Sequence, residues 1–261
     1  MLRTRLLTAA VALPTVLAIV VFFPNWLFSL FIGLIGAWGL YEVAAMTRAR
    51  SFVEVALVVV AGGVPLLGLL TTDHPYPGAA ALVGVAMLLL IAHVADKGPE
   101  SGPHGASLTL LGAVYIGALY PYFALLRNSP NGIALIIAML LLVVVTDSGA
   151  YFTGRSIGKY KLMPKVSPNK TIEGAVGGIV SCLIAGLVLK PMLLAHWTTA
   201  RVIVMSTIVS ILAQIGDLAG SALKRASGVK DSGWLFPGHG GLIDRTCSLV
   251  FAAAFTYYYA G

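Results

Sequence analysis

Charge is scarce in this sequence. Only 10% of its 261 residues are Asp, Glu, Lys or Arg, while 58% are apolar. A soluble domain carries about 25% charged and 45–50% apolar residues, so there is too little charge here to coat a water-facing surface. Cysteine is almost missing as well. Cys182 and Cys247 are the only two, which excludes a disulfide framework. Cys182 lies inside an apolar run and reads as a small core residue. The chain has no internal repeat and no low-complexity tract. It also has no soluble basic domain, so nucleic acid is a poor partner despite a net charge of +7. The Gly-x4-Gly-Lys-Ser/Thr spacing of a Walker A phosphate loop is absent.

What the chain does have is long apolar runs. Nine lie near 6–23, 26–46, 52–71, 79–95, 107–126, 132–152, 173–195, 202–223 and 242–259. About 20 apolar residues span the hydrocarbon core as a helix, and helices satisfy their own backbone groups where lipid cannot. The spacing predicts an all-α, polytopic membrane protein of about nine helices. The first run follows Arg3 and Arg5. Its apolar core is longer than a signal-peptide h-region and no clear cleavage site follows, so a signal anchor is expected. Five spans fill 1–130. Four more fill 131–261, with cytoplasmic loops at 153–172 and 224–241.

Orientation follows from Lys and Arg, which accumulate on the cytoplasmic side. With the N-terminus inside, fourteen of the 17 basic residues face the cytoplasm, and only Arg127, Lys190 and Arg201 face out. The positive charge therefore describes one membrane face, which also attracts anionic lipid.

Ten acids are present, and most have simple explanations. Asp73, Asp96 and Glu100 fall in loops. Glu42 and Glu54 sit near span ends, where solvation or a nearby Arg accounts for them. Asp147, Glu173, Asp217 and Asp244 do not yield so easily. They lie at the inner ends of spans six to nine, and an ionisable group within a span is a functional candidate by default. A structural ion pair explains any one of them, but explains four at one depth less well. In span eight, Asp217, Ser221, Lys224 and Arg225 fall at i, i+4, i+7 and i+8, one helical face. Carboxylates suit a hard cation such as Mg²⁺, which binds one or two of them plus substrate phosphates. Lys and Arg suit phosphate oxygens.

Two loops add to this. One runs from Gly154 through Arg155, Gly158, Lys159 and Lys161 to Ser167-Pro168-Asn169-Lys170-Thr171-Ile172-Glu173-Gly174. Its end begins a helix, whose free amides favour anions, although a basic juxtamembrane loop accounts for the composition equally. The other runs from Lys230-Asp231-Ser232-Gly233 to Pro237-Gly238-His239-Gly240-Gly241 and Asp244-Arg245. His239 stands between glycines and beside two carboxylates. Phosphate contact or proton handling weighs about evenly with simple solvation there.

The stretch Ser221-Ala-Leu-Lys224-Arg225, then Lys230-Asp231-Ser232-Gly233, then Phe236 to Arg245 closely resembles the signature of phosphatidate cytidylyltransferases (CDP-diacylglycerol synthases). Asp147 to Gly174 and Gln214 to Leu218 resemble two further blocks of that family. The resemblance covers roughly 140 to 250. It implies that the cytidylyl group of CTP passes to phosphatidate, giving CDP-diacylglycerol and pyrophosphate at the cytoplasmic face of the cell (inner) membrane. It further implies Mg²⁺ held by Asp217 and Asp244, with a second cation left open. Lys224, Arg225, Lys230 and Arg245 would take anionic oxygens, and Lys170 and Asp147 would complete the nucleotide side. Thr171, Glu173, Ser221, Gly240 and Gly241 would join the substrate side, with Asp231 and His239 near the reaction. Membrane lipid is the surrounding partner, and a homodimer is admitted.

Two positions depart from the family pattern. Gly220 stands where a Glu is usual, and Cys247 where the last Asp of the signature is usual. Mg²⁺ prefers oxygen, so Cys247 is no substitute in kind. A site with fewer carboxylates, a divergent paralogue with another lipid, and an inactive lipid- or nucleotide-binding protein all stay open. A transporter and a CTP-dependent lipid kinase are the outside alternatives. An active cytidylyltransferase is favoured, because the basic residues and Asp147, Asp217, Asp231 and Asp244 all remain.

Overall fold

The computed structural model describes residues 14–47, 56, 58–60, 63, 76–236 and 240–261. The run at 52–71 thus lies almost wholly outside the described residues, and the run at 6–23 is described only from 14. The helices are α1 (14–22), α2 (Asn25–Met46), α3 (Tyr76–Leu119), α4 (Pro121–Asn128), α5 (Gly132–Ile157), α6 (Ile172–Leu193), α7 (Thr199–Ala226) and α8 (Ile243–Ala260). Among the described residues, five segments are long and apolar enough to cross a membrane: Asn25–Met46, Gly102–Asn128, Gly132–Ile157, Ile172–Leu193 and Thr199–Ala226. The chain is therefore mostly helical and fits an integral membrane protein. The predicted fourth run, 79–95, lies within the first part of α3. Gly98 breaks α3 there with φ of 75°, a left-handed conformation that costs glycine little.

The all-α expectation needs one amendment. Lys161–Met163 (β1) and Ser167–Thr171 (β2) form an antiparallel hairpin between α5 and α6. Pro168 cannot donate to a ladder, and a two-stranded ribbon made only of edges tolerates it.

The chain divides into two compact units. One gathers Phe23–Ala124 with Leu223–Arg245. In it α2 packs on the second half of α3. A Cβ on Gly39 would stand 3.1 Å from Ile116, and one on Gly112 would stand 2.5 Å from Val43, so the missing side chains allow the approach.

The other unit gathers Leu125–Ala222 with Thr246–Gly261 and the short Val16–Phe22. Its centre is α6. Gly174, Gly178, Cys182 and Gly186 recur every fourth residue and are buried. A Cβ on Gly178 would stand 3.0 Å from the Thr146 carbonyl of α5 and 3.4 Å from Gln214 of α7. Small residues let helices approach in lipid, where packing and not water exclusion drives association. The opposite stripe, Val176, Val180, Ile184 and Val188, is at least half exposed. Such a stripe is costly in water and at ease against acyl chains.

Candidate functional site

In the first unit the polar chemistry converges on the loop between α7 and α8. Asp244 lies in the first turn of α8, and its side chain is 4% exposed. Its Oδ1 pairs with the Lys224 ammonium at the end of α7. Its Oδ2 accepts the backbone N–H of Ser232 at 2.8 Å and of Gly241 at 2.9 Å, and lies 3.1 Å from the Ser232 hydroxyl. Phe236 N–H donates to the Gly240 carbonyl at 2.9 Å, and Gly240 adopts φ of 82°. The intervening Pro237, Gly238 and His239 lie outside the described residues.

A second carboxylate meets this loop, and sequence reasoning dismissed it. Glu42 of α2 is 2% exposed, so solvation does not account for it. Its Oε2 accepts the Ser232 hydroxyl at 2.7 Å and Ile243 N–H at 3.1 Å. Its Oε1 accepts Leu242 N–H at 2.7 Å and the Trp38 indole N–H at 3.2 Å. Backbone amides, a hydroxyl and an indole replace the water that a carboxylate needs. The amides at the start of α8 would otherwise be orphans. The available signal was an ionisable residue within an apolar run, with Trp38 one turn before it. Its place near a span end made solvation or a nearby Arg the simpler reading.

In the second unit, Lys170 at the end of the hairpin pairs with Asp217 of α7, Nζ to Oδ2 at 2.6 Å. The side chains are 26% and 35% exposed. Cys247 of α8 points its thiol at the other oxygen of Asp217, 3.6 Å away. Thr171 caps α6 by accepting Gly174 N–H at 3.1 Å, and Glu173 accepts Tyr160 N–H on both oxygens, at 3.2 and 3.3 Å. These two residues therefore hold the hairpin on its helix. Asp147 is exposed on α5.

The face of α7 expected to carry Asp217, Ser221, Lys224 and Arg225 is helical throughout, but its members serve different partners. Asp217 serves Lys170, Lys224 serves Asp244, and exposed Arg225 donates to the Val229 carbonyl at 3.2 Å. Ser221 is half-buried, while Lys230, Asp231 and Arg245 are exposed.

Among the described residues, no group of three or more His, Cys, Asp or Glu side chains could hold a metal ion. Mg²⁺ does not need such a cage, because it keeps several waters and leans on one or two carboxylates and substrate phosphates. Asp217 fits that role, being partly exposed with one oxygen against only a weak thiol donor. Asp244 is more crowded, with Oδ2 committed to the loop and Oδ1 to Lys224.

A sequence model of the cytidylyltransferase family matches residues 3–261. The chain is 32% identical over 288 residues to a phosphatidate cytidylyltransferase of Haemophilus influenzae, covering 99% of this chain and 98% of that one. It is 33% identical over 260 residues to one of Staphylococcus aureus, covering 96% and 95%. Against one of Bacillus subtilis it is 42% identical over 149 residues, 57% of this chain and about half (55%) of that protein's length.

Proposed function

The chain belongs to the cytidylyltransferase family, and on that premise we propose that it transfers the cytidylyl group of CTP to phosphatidate, giving CDP-diacylglycerol and pyrophosphate. An oxygen of the lipid phosphate attacks the α-phosphorus of CTP. The bond from that phosphorus to the β-phosphate oxygen breaks, and pyrophosphate leaves with the electron pair. The nucleophile is already deprotonated near neutral pH, so no strong base is needed. The difficulty is bringing two anions together, which makes alignment and charge neutralisation the main contributions.

The observation that carries this reading is the similarity along the whole length of the chain to proteins bearing that name. The geometry supports it. Lys170 and Lys224 each hold a carboxylate oxygen, and a phosphate oxygen has the same charge and size of acceptor. Substrate would exchange with those carboxylates. Arg225, Lys230 and Arg245 are exposed and would take further phosphate oxygens, and the family resemblance adds Asp147, Thr171, Glu173, Ser221, Asp231, His239, Gly240 and Gly241 as substrate-side residues. Asp217 and Asp244 are the carboxylates that would serve Mg²⁺, which when bound would neutralise phosphate charge. Nine spans with the N-terminus inside would turn this end of the helices to the cytoplasm of the cell membrane. Fourteen of the 17 basic residues on that side support the orientation.

The test is direct. Purified protein with CTP, phosphatidate and Mg²⁺ should release pyrophosphate and form a CDP-lipid. Release of CDP with a phosphorylated lipid would mark a kinase instead. A folded protein that forms no product across lipid acceptors and divalent metals would sink the enzyme reading.

A further inference from the structure

Glu42 has no part in the reaction as written, yet its carboxylate is buried against the signature loop. The loop's hydrogen bonds divide between two carboxylates. Of three consecutive amides, Gly241 donates to Asp244, and Leu242 and Ile243 donate to Glu42. Ser232 divides in the same way. Its backbone N–H goes to Asp244 at 2.8 Å, while its hydroxyl lies 2.7 Å from Glu42 and 3.1 Å from Asp244. A hydroxyl has one proton, and the shorter contact takes it. Trp38, which donates to Glu42, also stands edge-on to Trp234 of the same loop, with ring centroids 6.1 Å apart.

The glycines of the signature fit this arrangement. A Cβ on Gly241 would lie 2.5 and 2.6 Å from the two Glu42 oxygens, and one on Gly233 would lie 2.8 Å from Oε1. Neither glycine's side is open space. Each is filled by a carboxylate delivered from a helix about two hundred residues earlier in the chain. Replacing Glu42 by an apolar residue would leave two buried amides and a hydroxyl without their acceptor.

We propose that Glu42 is a positioning residue for cytidylyl transfer. It fixes Ser232 and the 241–243 turn, and through them the orientation of Asp244 and its partner Lys224. The inference rests on the transferase reading above. Transfer between two anions depends on alignment, and a misplacement of about 1 Å can cost about a hundredfold in rate. A residue that sets the loop should therefore act on turnover and not only on folding.

The experiment uses the full chain in detergent or lipid nanodiscs, with rates normalised to folded protein. Wild type is measured first. If it forms no CDP-lipid, the transferase reading fails and this inference falls with it. Given an active wild type, Glu42→Gln and Ser232→Ala should each lower kcat at least fivefold, with KM for CTP changed less than kcat. Glu42→Asp, which keeps the charge but withdraws it by one methylene, should retain more turnover than Glu42→Gln. The double variant Glu42→Gln/Ser232→Ala should be no slower than the worse single within about twofold, because both act through one contact. A purely structural strut would lower folded yield and melting temperature and leave kcat per folded molecule within fivefold of wild type. That result, or full multiplication of the two single effects, overturns the proposal. If Glu42→Gln does not fold, Ser232→Ala alone decides by the same fivefold criterion.

Discussion

Lys224 and Asp244 form a pair whose two roles can be separated by measurement. The side chains are 13% and 4% exposed. Removing one partner of a buried pair typically costs about 3–5 kcal/mol, because the other charge is stranded. Here the loss is smaller. After Lys224→Met, Asp244 still accepts the N–H groups of Ser232 and Gly241, so we expect about 2–3 kcal/mol. After Asp244→Asn, an amide carries only one acceptor oxygen for donors that now use two. Lys224 loses its counter-charge, and the expected cost is again about 2–3 kcal/mol. In the double variant neither charge is stranded, so its cost should be about 3 kcal/mol, not the sum. The coupling is then about 2 kcal/mol. Reversible SDS titration in mixed micelles reads the stability, and pyrophosphate release from CTP reads the turnover. The double variant should be about as stable as the less stable single variant. Turnover should stay at least a hundredfold down in all three, because a neutral Met cannot hold a phosphate oxygen and a neutral Asn cannot serve the metal as Asp244 would. Additivity of the stability costs within about 0.5 kcal/mol would refute the pairing argument. Recovery of turnover in the double variant would refute the phosphate role of Lys224.

Other expectations follow from the second unit. Lys170→Met breaks a pair that is a quarter to a third exposed, so its stability cost should stay below about 1 kcal/mol. Turnover should nevertheless fall at least tenfold, and a large melting shift with retained turnover would contradict this. Cys247→Asp puts a second carboxylate where the thiol now lies 3.6 Å from Asp217. Mg²⁺ should then bind at least threefold more tightly by calorimetric titration, and an unchanged titration would make the departure at Cys247 neutral. Gly220 is buried, so restoring Glu there also demands space, and Cys247 is the better first test. Arg201 sits 4.2 Å over Trp197 and 5.5 Å over Tyr259, and donates to the Tyr259 and Ala260 carbonyls at 2.7 and 3.2 Å. Arg201→Ala should cost about 2–3 kcal/mol of stability, while turnover per folded molecule stays unchanged.

Composition and pattern alone settled the class of this protein. With 10% charge and long apolar runs, lipid is the only solvent that suits such a surface, and helices are what lipid permits. The five membrane-length helices lie where those runs predict them. The hairpin at 161–171 was hidden, because a Pro-containing polar stretch reads as loop and its pairing depends on where α5 and α6 bring its ends. The spacing of residues in α7 showed which charges share a helix, but not what they touch. Lys224 turns to Asp244 and Asp217 to Lys170 because those partners arrive from other elements. Glu42 makes the same point most sharply. In the sequence it is an acid near a span end, explained by solvation or a nearby Arg. In the fold it is a dry carboxylate holding the loop that carries Asp244. Periodicity reports which residues face lipid. Which polar groups become each other's solvent is decided by contacts across two hundred residues, and only the tertiary structure contains them.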